Sequence, residues 1–156
     1  MRGEKAYHKM QEVFRQPTPG PKDESAEALA LYRHVLTSWY EKYFRALQAA
    51  AWAGHPAAQN DYGMEYEEIE TIHTRMVNKR HDYTKAFYWY SKAAKQQLPD
   101  AFNNLGRLYF GGHGCKRNIK KSLELFKKAA DAGSAAGQEN YKGTLRDLKK
   151  AKIKLA

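Results

Sequence analysis

Ala101, Leu105 and Tyr109 are spaced to lie along one face of a helix, and Leu123, Phe126 and Ala130 along one face of another. Gly111-Gly112-His113-Gly114 separates the two stripes and continues neither helix. The second stripe has an earlier counterpart. Phe87, Trp89, Tyr90 and Lys92-Ala93-Ala94 return 36 residues later as Leu123, Leu125, Phe126 and Lys128-Ala129-Ala130, with Lys85 returning as Lys121. Self-similarity at a fixed spacing of this size marks stacked repeats, in which each unit buries its apolar face against its neighbours. Such chains present a long curved surface to a partner.

The copies extend in both directions. Gly54, Gln97 and Gly133 each follow an Ala-Ala pair by the same interval, and Tyr62, Leu105 and Tyr141 come eight residues later. Pro56 and Pro99 fall just inside a first helix, where a missing N–H costs nothing. Asp82 and Asn118 precede a second helix as N-caps, each contributing about 1 kcal/mol, and Ser134 can cap the first helix of the third copy. Gly63 and Gly106 fall mid-helix, where glycine costs about 1 kcal/mol against alanine. The spacing predicts that a neighbouring helix crosses there and leaves no room for a Cβ. The third copy has Lys142 at that position and is degenerate or terminal. The first copy runs 22 residues from Gly63 to Lys85 against 15 from Gly106 to Lys121, an excess placed within residues 64–81 as a longer helix and loop.

The remainder reads as flanking structure. Residues 1–21 form a polar segment that can hold a short helix carrying Met10, Val13 and Phe14, ended by the proline-rich Pro17-Thr18-Pro19-Gly20-Pro21. Residues 22–53 form an N-terminal cap with an apolar stripe through Leu29, Tyr32, Leu36, Tyr43 and Leu47, either one long helix or two broken near Thr37-Ser38. Repeat 1 takes residues 54–97, repeat 2 takes 98–133, and 134–156 make a degenerate repeat or C-terminal cap.

Ala101-x3-Leu105-Gly106-x2-Tyr109, then Gly112-x-Gly114, Asn118-x2-Lys121 and Phe126-x-Lys128-Ala129-Ala130-x2-Gly133 resembles a Sel1-like repeat, a cousin of the tetratricopeptide repeat. Ala57 through Ala94 looks like the same motif with an elongated helix and no glycine loop. The likeness covers roughly residues 39–143. It implies an all-α fold, an α/α superhelical solenoid of helix-turn-helix repeats, acting without catalysis as an adaptor or scaffold. Bacterial members of such a family include periplasmic and secreted interaction proteins, and some neutralise toxins, so an immunity or inhibitor protein is the sharper expectation. The single cysteine, Cys115, separates the chain from the disulfide-bridged branch of the family and leaves the compartment open.

In the related repeats the first helices line the concave groove. Carried onto this chain, that implies partner-facing residues Asn60, Met64 and Glu67 in the first copy, Asn103, Arg107 and Phe110 in the second, and Glu139 and Arg146 in the third. Arginine and aromatic side chains are the types that anchor interfaces. Asn60 and Asn103 hold equivalent positions and are expected, as a pair, to grip the backbone of an extended peptide.

The net charge of +10 is unevenly placed. Lys116, Arg117, Lys120 and Lys121 open a basic segment, Lys142 to Lys154 forms another, and Glu65, Glu67, Glu68 and Glu70 cluster in the first copy. The ordinary role of such runs is to solvate outer helix faces. The functional alternative is a protein partner with an acidic surface, drawn in by long-range attraction. Nucleic acid is a further alternative, weakened by the lack of base-stacking aromatics among those lysines.

No stretch is long and apolar enough to span a membrane, and the start lacks the apolar run of a signal peptide. The chain reads as cytoplasmic if complete and periplasmic if a leader is missing. No cofactor or metal is expected. The six histidines never take the i, i+4 spacing of a metal site, and no second cysteine joins them. The glycine loop lacks the lysine-serine of a phosphate cradle, and His113 with Cys115, two residues apart, is a poor nucleophile and base. An enzyme using Cys115 is the least favoured reading.

Overall fold

The computed structural model describes residues 2–15, 25–67 and 82–152. These residues form helices α1 (Arg2–Arg15), α2 (Ala26–Trp52), α3 (Pro56–Glu67), α4 (Tyr83–Lys95), α5 (Pro99–Gly111), α6 (Ile119–Asp131) and α7 (Ala135–Lys150). Side chains set where several of them begin. Asp82 and Asn118 accept the N–H of Lys85 and Lys121 at 3.0 and 2.9 Å, and Ser25 and Ser134 accept those of Ala28 and Gly137, each at 3.2 Å. Each cap satisfies one of the donors that a helix start leaves open. Pro56 and Pro99 are the first residues of α3 and α5.

The helices pack as successive antiparallel pairs, α1 with α2, α3 with α4 and α5 with α6, and α7 adds a further first helix against α5 and α6. The chain is an α/α solenoid. Its second helices end alike. Gly54, Gln97 and Gly133 take φ of 93°, 63° and 91°, and each donates its N–H to the second alanine of the preceding pair at 3.0 to 3.1 Å. Gln97 holds a left-handed conformation that costs a non-glycine residue about 1 kcal/mol. The connections inside the pairs also close alike: Asp82 donates to the Tyr66 carbonyl at 3.0 Å and Asn118 to that of Tyr109 at 2.8 Å. The extra length of the first copy is therefore enclosed between Tyr66 and Asp82, and the elongation expected of α3 falls beyond Glu67, outside the described residues. The longer loop expected there lies outside the described residues, as do Pro17 to Pro21.

Two apolar clusters fill the spaces between pairs. One joins Leu47, Ala50 and Ala51 of α2 to Ala58 and Tyr62 of α3 and Trp89 of α4. The other joins Ala86, Tyr90 and Ala93 of α4 to Ala101, Phe102, Leu105 and Leu108 of α5 and Leu125 and Ala129 of α6. Alanine at the fully buried crossings lets the helix axes approach closely, while the aromatics supply most of the buried area. The two mid-helix glycines are explained more specifically than the sequence suggested. A Cβ on Gly63 would lie 2.7 Å from the Tyr90 ring, and one on Gly106 would lie 2.5 Å from the Phe126 ring. The close neighbour is an aromatic ring of the second helix rather than its backbone.

The flanks resolve the alternatives left open by the sequence. Residues 26–52 form one continuous helix, and Thr37 donates its hydroxyl to the Arg33 carbonyl at 2.9 Å within it. The N-terminal segment contributes α1, which packs along α2 and reaches the next turn. The Tyr7 ring stacks on His55 at 4.1 Å, and its hydroxyl donates to Asp61 at 3.1 Å. Burial pushes the Asp61 carboxyl above, and the His55 imidazole below, their ordinary values.

Two outcomes follow for stability. Gly106→Ala is expected to destabilise the fold by about 1–3 kcal/mol, because the buried Phe126 ring has nowhere to move. Gly143→Ala, where a Cβ meets open space, is expected to be neutral or to stabilise by up to about 1 kcal/mol. Urea denaturation of both variants checks the contrast. For His55 the folded value is depressed, so protonation favours the undocked state and stability falls as pH drops through about 6.5. Asp61, with its raised value, acts in the opposite direction, within the carboxylate range at lower pH. Hydrogen exchange in α1, corrected for its intrinsic pH dependence, is expected to quicken between about pH 7.5 and 5.5, and His55→Gln to abolish that change.

Candidate protein-binding groove

The first helices α1, α3, α5 and α7 stand side by side, joined by a recurring polar rung. Asn104 donates its side-chain amide to the Asn60 carbonyl oxygen at 3.0 Å, and Asn140 donates to Asn103 at 2.8 Å. Asp61, which bonds Tyr7, holds the register position of Asn104 and Asn140, each one residue before Tyr62, Leu105 and Tyr141. Asn60, Asn103 and Asn104 are all buried. This corrects the expectation for the asparagines. Asn60 and Asn103 do not bond each other or stand open to a peptide. Each accepts from the asparagine of the following repeat, and Asn60 also donates to the Met64 sulfur at 3.8 Å. They brace the floor. Equivalence along the sequence showed which residues share a role, but not that the partner is offset by one position.

Above this floor lies a groove of about 430 Å³, lined mainly by α3, α5, α7 and the turn after α5, with Tyr83 of α4 and Phe126 of α6. It brings together Glu67, Arg107, Phe110 and Glu139 from among the expected residues. Glu67 is its fixed point. One carboxylate oxygen accepts from the Tyr90 hydroxyl at 2.7 Å and the other from Arg107 at 2.7 Å. Arg107 also approaches the Asn104 oxygen at 3.5 Å, so the guanidinium is held over the rung while half of its side chain stays open to solvent. An ion pair this exposed is worth well under about 1 kcal/mol by itself, but the Tyr90 bond gives it one geometry.

Phe110 presents an exposed ring on the groove wall. Arg117 stacks over it at 5.9 Å and donates to the Phe110 carbonyl at 3.0 Å. Met64 lines an adjoining depression of about 240 Å³ with Glu67, Tyr83 and Arg107. Arg146 lies outside both cavities, at 3.9 Å from Asp147 on an exposed surface. The remaining basic residues are also placed away from the groove: Lys116, Lys120 and Lys121 are exposed, and Lys121 pairs with Glu124 at 3.3 Å. Sequence reasoning missed Asn140, Gly143, Thr144 and Asp147, which line the groove from α7. The i, i+4 and i+7 spacing of Asn140, Thr144 and Asp147 is the signal that would have found them.

His113 stacks on Tyr83 at 4.7 Å, and Cys115 packs against the larger apolar cluster. Burial pushes the Cys115 thiol up, opposite to the shift that activates a nucleophile. Among the described residues no three histidine, cysteine or acidic side chains converge to hold a metal ion, and no helix is long and apolar enough to cross a membrane.

The Sel1 repeat family matches residues 75–98 and 99–134. Residues 75–134 of the chain therefore carry two Sel1 repeats. Over 98 residues, 62% of its length, it is 35% identical to the ERAD-associated E3 ubiquitin-protein ligase component HRD3B of Arabidopsis thaliana, of which those residues make up 14%. Solved structures share the fold at 21% identity. A Sel1 repeat protein from Oxalobacter formigenes aligns with a TM-score of 0.57, over 90% of this chain and 96% of its own. Cysteine rich protein B of Helicobacter pylori aligns at 0.56, over 88% and 95%. The protective antigen c5321 of uropathogenic Escherichia coli aligns at 0.62, over 94% of this chain and 34% of its own. Sel1 repeats act through protein–protein contacts, and the groove of this chain is lined by residues of its neighbouring helices.

The rung can be tested directly. Asn104→Ala is expected to leave the buried Asn60 oxygen without its donor and to destabilise the fold by about 1–3 kcal/mol. Denaturant titration of this variant against an exposed control, Glu124→Ala, checks it.

Proposed function

We propose that this protein is a non-catalytic adaptor whose concave groove holds an extended segment of a partner protein. The observation that carries this reading is the Tyr90–Glu67–Arg107 arrangement. It preorganises an arginine beside the exposed Phe110 ring, two anchor types of the kind that dominate interfaces. Preorganisation matters because ordering a free arginine on binding offsets much of what its contacts contribute. The likeness to HRD3B, itself a component of a larger assembly, supports an adaptor.

The toxin-inhibitor form of this reading draws on the small size and basic charge of the chain. A partner with an acidic surface would meet the segment Lys116–Lys121 outside the groove, where Arg117 and Lys121 already have local contacts. The groove itself favours the adaptor form. Affinity capture from the source cells with the wild-type chain and with Arg107→Ala/Phe110→Ala is the test. Specific partners are expected to be held by the wild type and lost from the variant at unchanged helicity. Equal recovery on both would remove the groove from the binding role.

A further inference from the structure

The groove carries a charge opposite to that of the molecule. The chain has a net charge of +10, yet among the described residues the charged side chains lining the groove, apart from His113, are Glu67, Arg107, Glu139 and Asp147. Glu67 and Arg107 neutralise each other at 2.7 Å. That leaves two carboxylates, both on α7. This helix contains four basic residues, Lys142, Arg146, Lys149 and Lys150, and none of them lines the groove, whereas both of its acids do. The nearest base, Arg146, touches Asp147 at 3.9 Å in an exposed pair that contributes little.

Helix stability does not account for this distribution. Asp147 sits in the last turn of α7, where a negative charge faces the negative end of the helix dipole and is unfavourable. Glu139 lies beyond the first turn, and so gains little from the positive end. Between them stands Gly143, where a Cβ would meet nothing within 4 Å, so the backbone is bare at the middle of the wall. Glu139, Gly143 and Asp147 follow one another at i, i+4 and i+8, which puts the two acidic positions about 12 Å apart along the helix axis.

We infer that the segment held in the groove is cationic, with two lysine or arginine side chains four residues apart that meet Glu139 and Asp147. An extended chain advances about 3.3 Å per residue, so positions i and i+4 are about 13 Å apart and point to the same side. Gly143 admits the intervening backbone. The surrounding positive surface makes the attraction selective, since a cationic segment is repelled from the rest of the molecule.

The inference rests on the groove-docking reading, and the experiment separates the two. A random peptide library is selected on the full chain, and a synthetic peptide of the resulting consensus is titrated by fluorescence anisotropy. Lysine or arginine at a spacing of four is expected in the selected sequences. Glu139→Gln/Asp147→Asn is expected to weaken binding by ~10-fold or more, and Lys142→Gln/Lys149→Gln to leave it unweakened. Acidic or uncharged selected peptides, or cationic ones bound equally by Glu139→Gln/Asp147→Asn, would overturn the cationic occupant while leaving groove docking intact. Failure of the folded wild type to select any peptide would instead overturn groove docking itself.

Discussion

The structure depends on one contact made twice: an aromatic ring of a second helix seated against a glycine of its own first helix. Tyr90 fills the notch at Gly63 and Phe126 the notch at Gly106. The missing Cβ lets a large ring serve as the spacer between two helices, so apolar area is buried without forcing the axes apart. The same contact reaches the surface. Tyr90 is fully buried, but its hydroxyl emerges at Glu67, and Glu67 holds Arg107. A core packing event therefore positions the side chain that the groove presents.

Polar bonds then set the spacing from one repeat to the next. The rungs Tyr7–Asp61, Asn104–Asn60 and Asn140–Asn103 join neighbouring first helices at one register position. Buried amides of this kind are costly when unpaired, so they discriminate strongly between correct and slipped stacking. At the N-terminal end the rung is made by a tyrosine and an aspartate. It is accompanied by a titratable histidine under the tyrosine ring, which makes the docking of α1 sensitive to pH.

Charge is sorted by face rather than by segment. Read linearly, α6 and α7 are basic stretches, and their bulk attraction is toward acids. In three dimensions the two exposed acids of α7 line the groove and its bases do not, so the groove and the outer surface would attract different chemistry. Net charge describes long-range behaviour and solubility, while the groove responds to the few groups that line it.

The repeat register, the caps at Asp82, Asn118 and Ser134, the helix starts at Pro56 and Pro99 and the tight positions at Gly63 and Gly106 were all legible in the sequence. Each depends on a residue type whose physical role is local or periodic. Four residues that line the groove, Glu67, Arg107, Phe110 and Glu139, were expected from the resemblance to related repeats. What only the tertiary structure decided was relative: that the bond runs from Asn104 to Asn60, that the Gly63 and Gly106 notches hold rings, that Glu67 is fixed by Tyr90, and that the acids of α7 line the groove. These depend on how far one helix is shifted and rotated against the next. Summed packing over the whole stack sets that offset, and no single residue type encodes it.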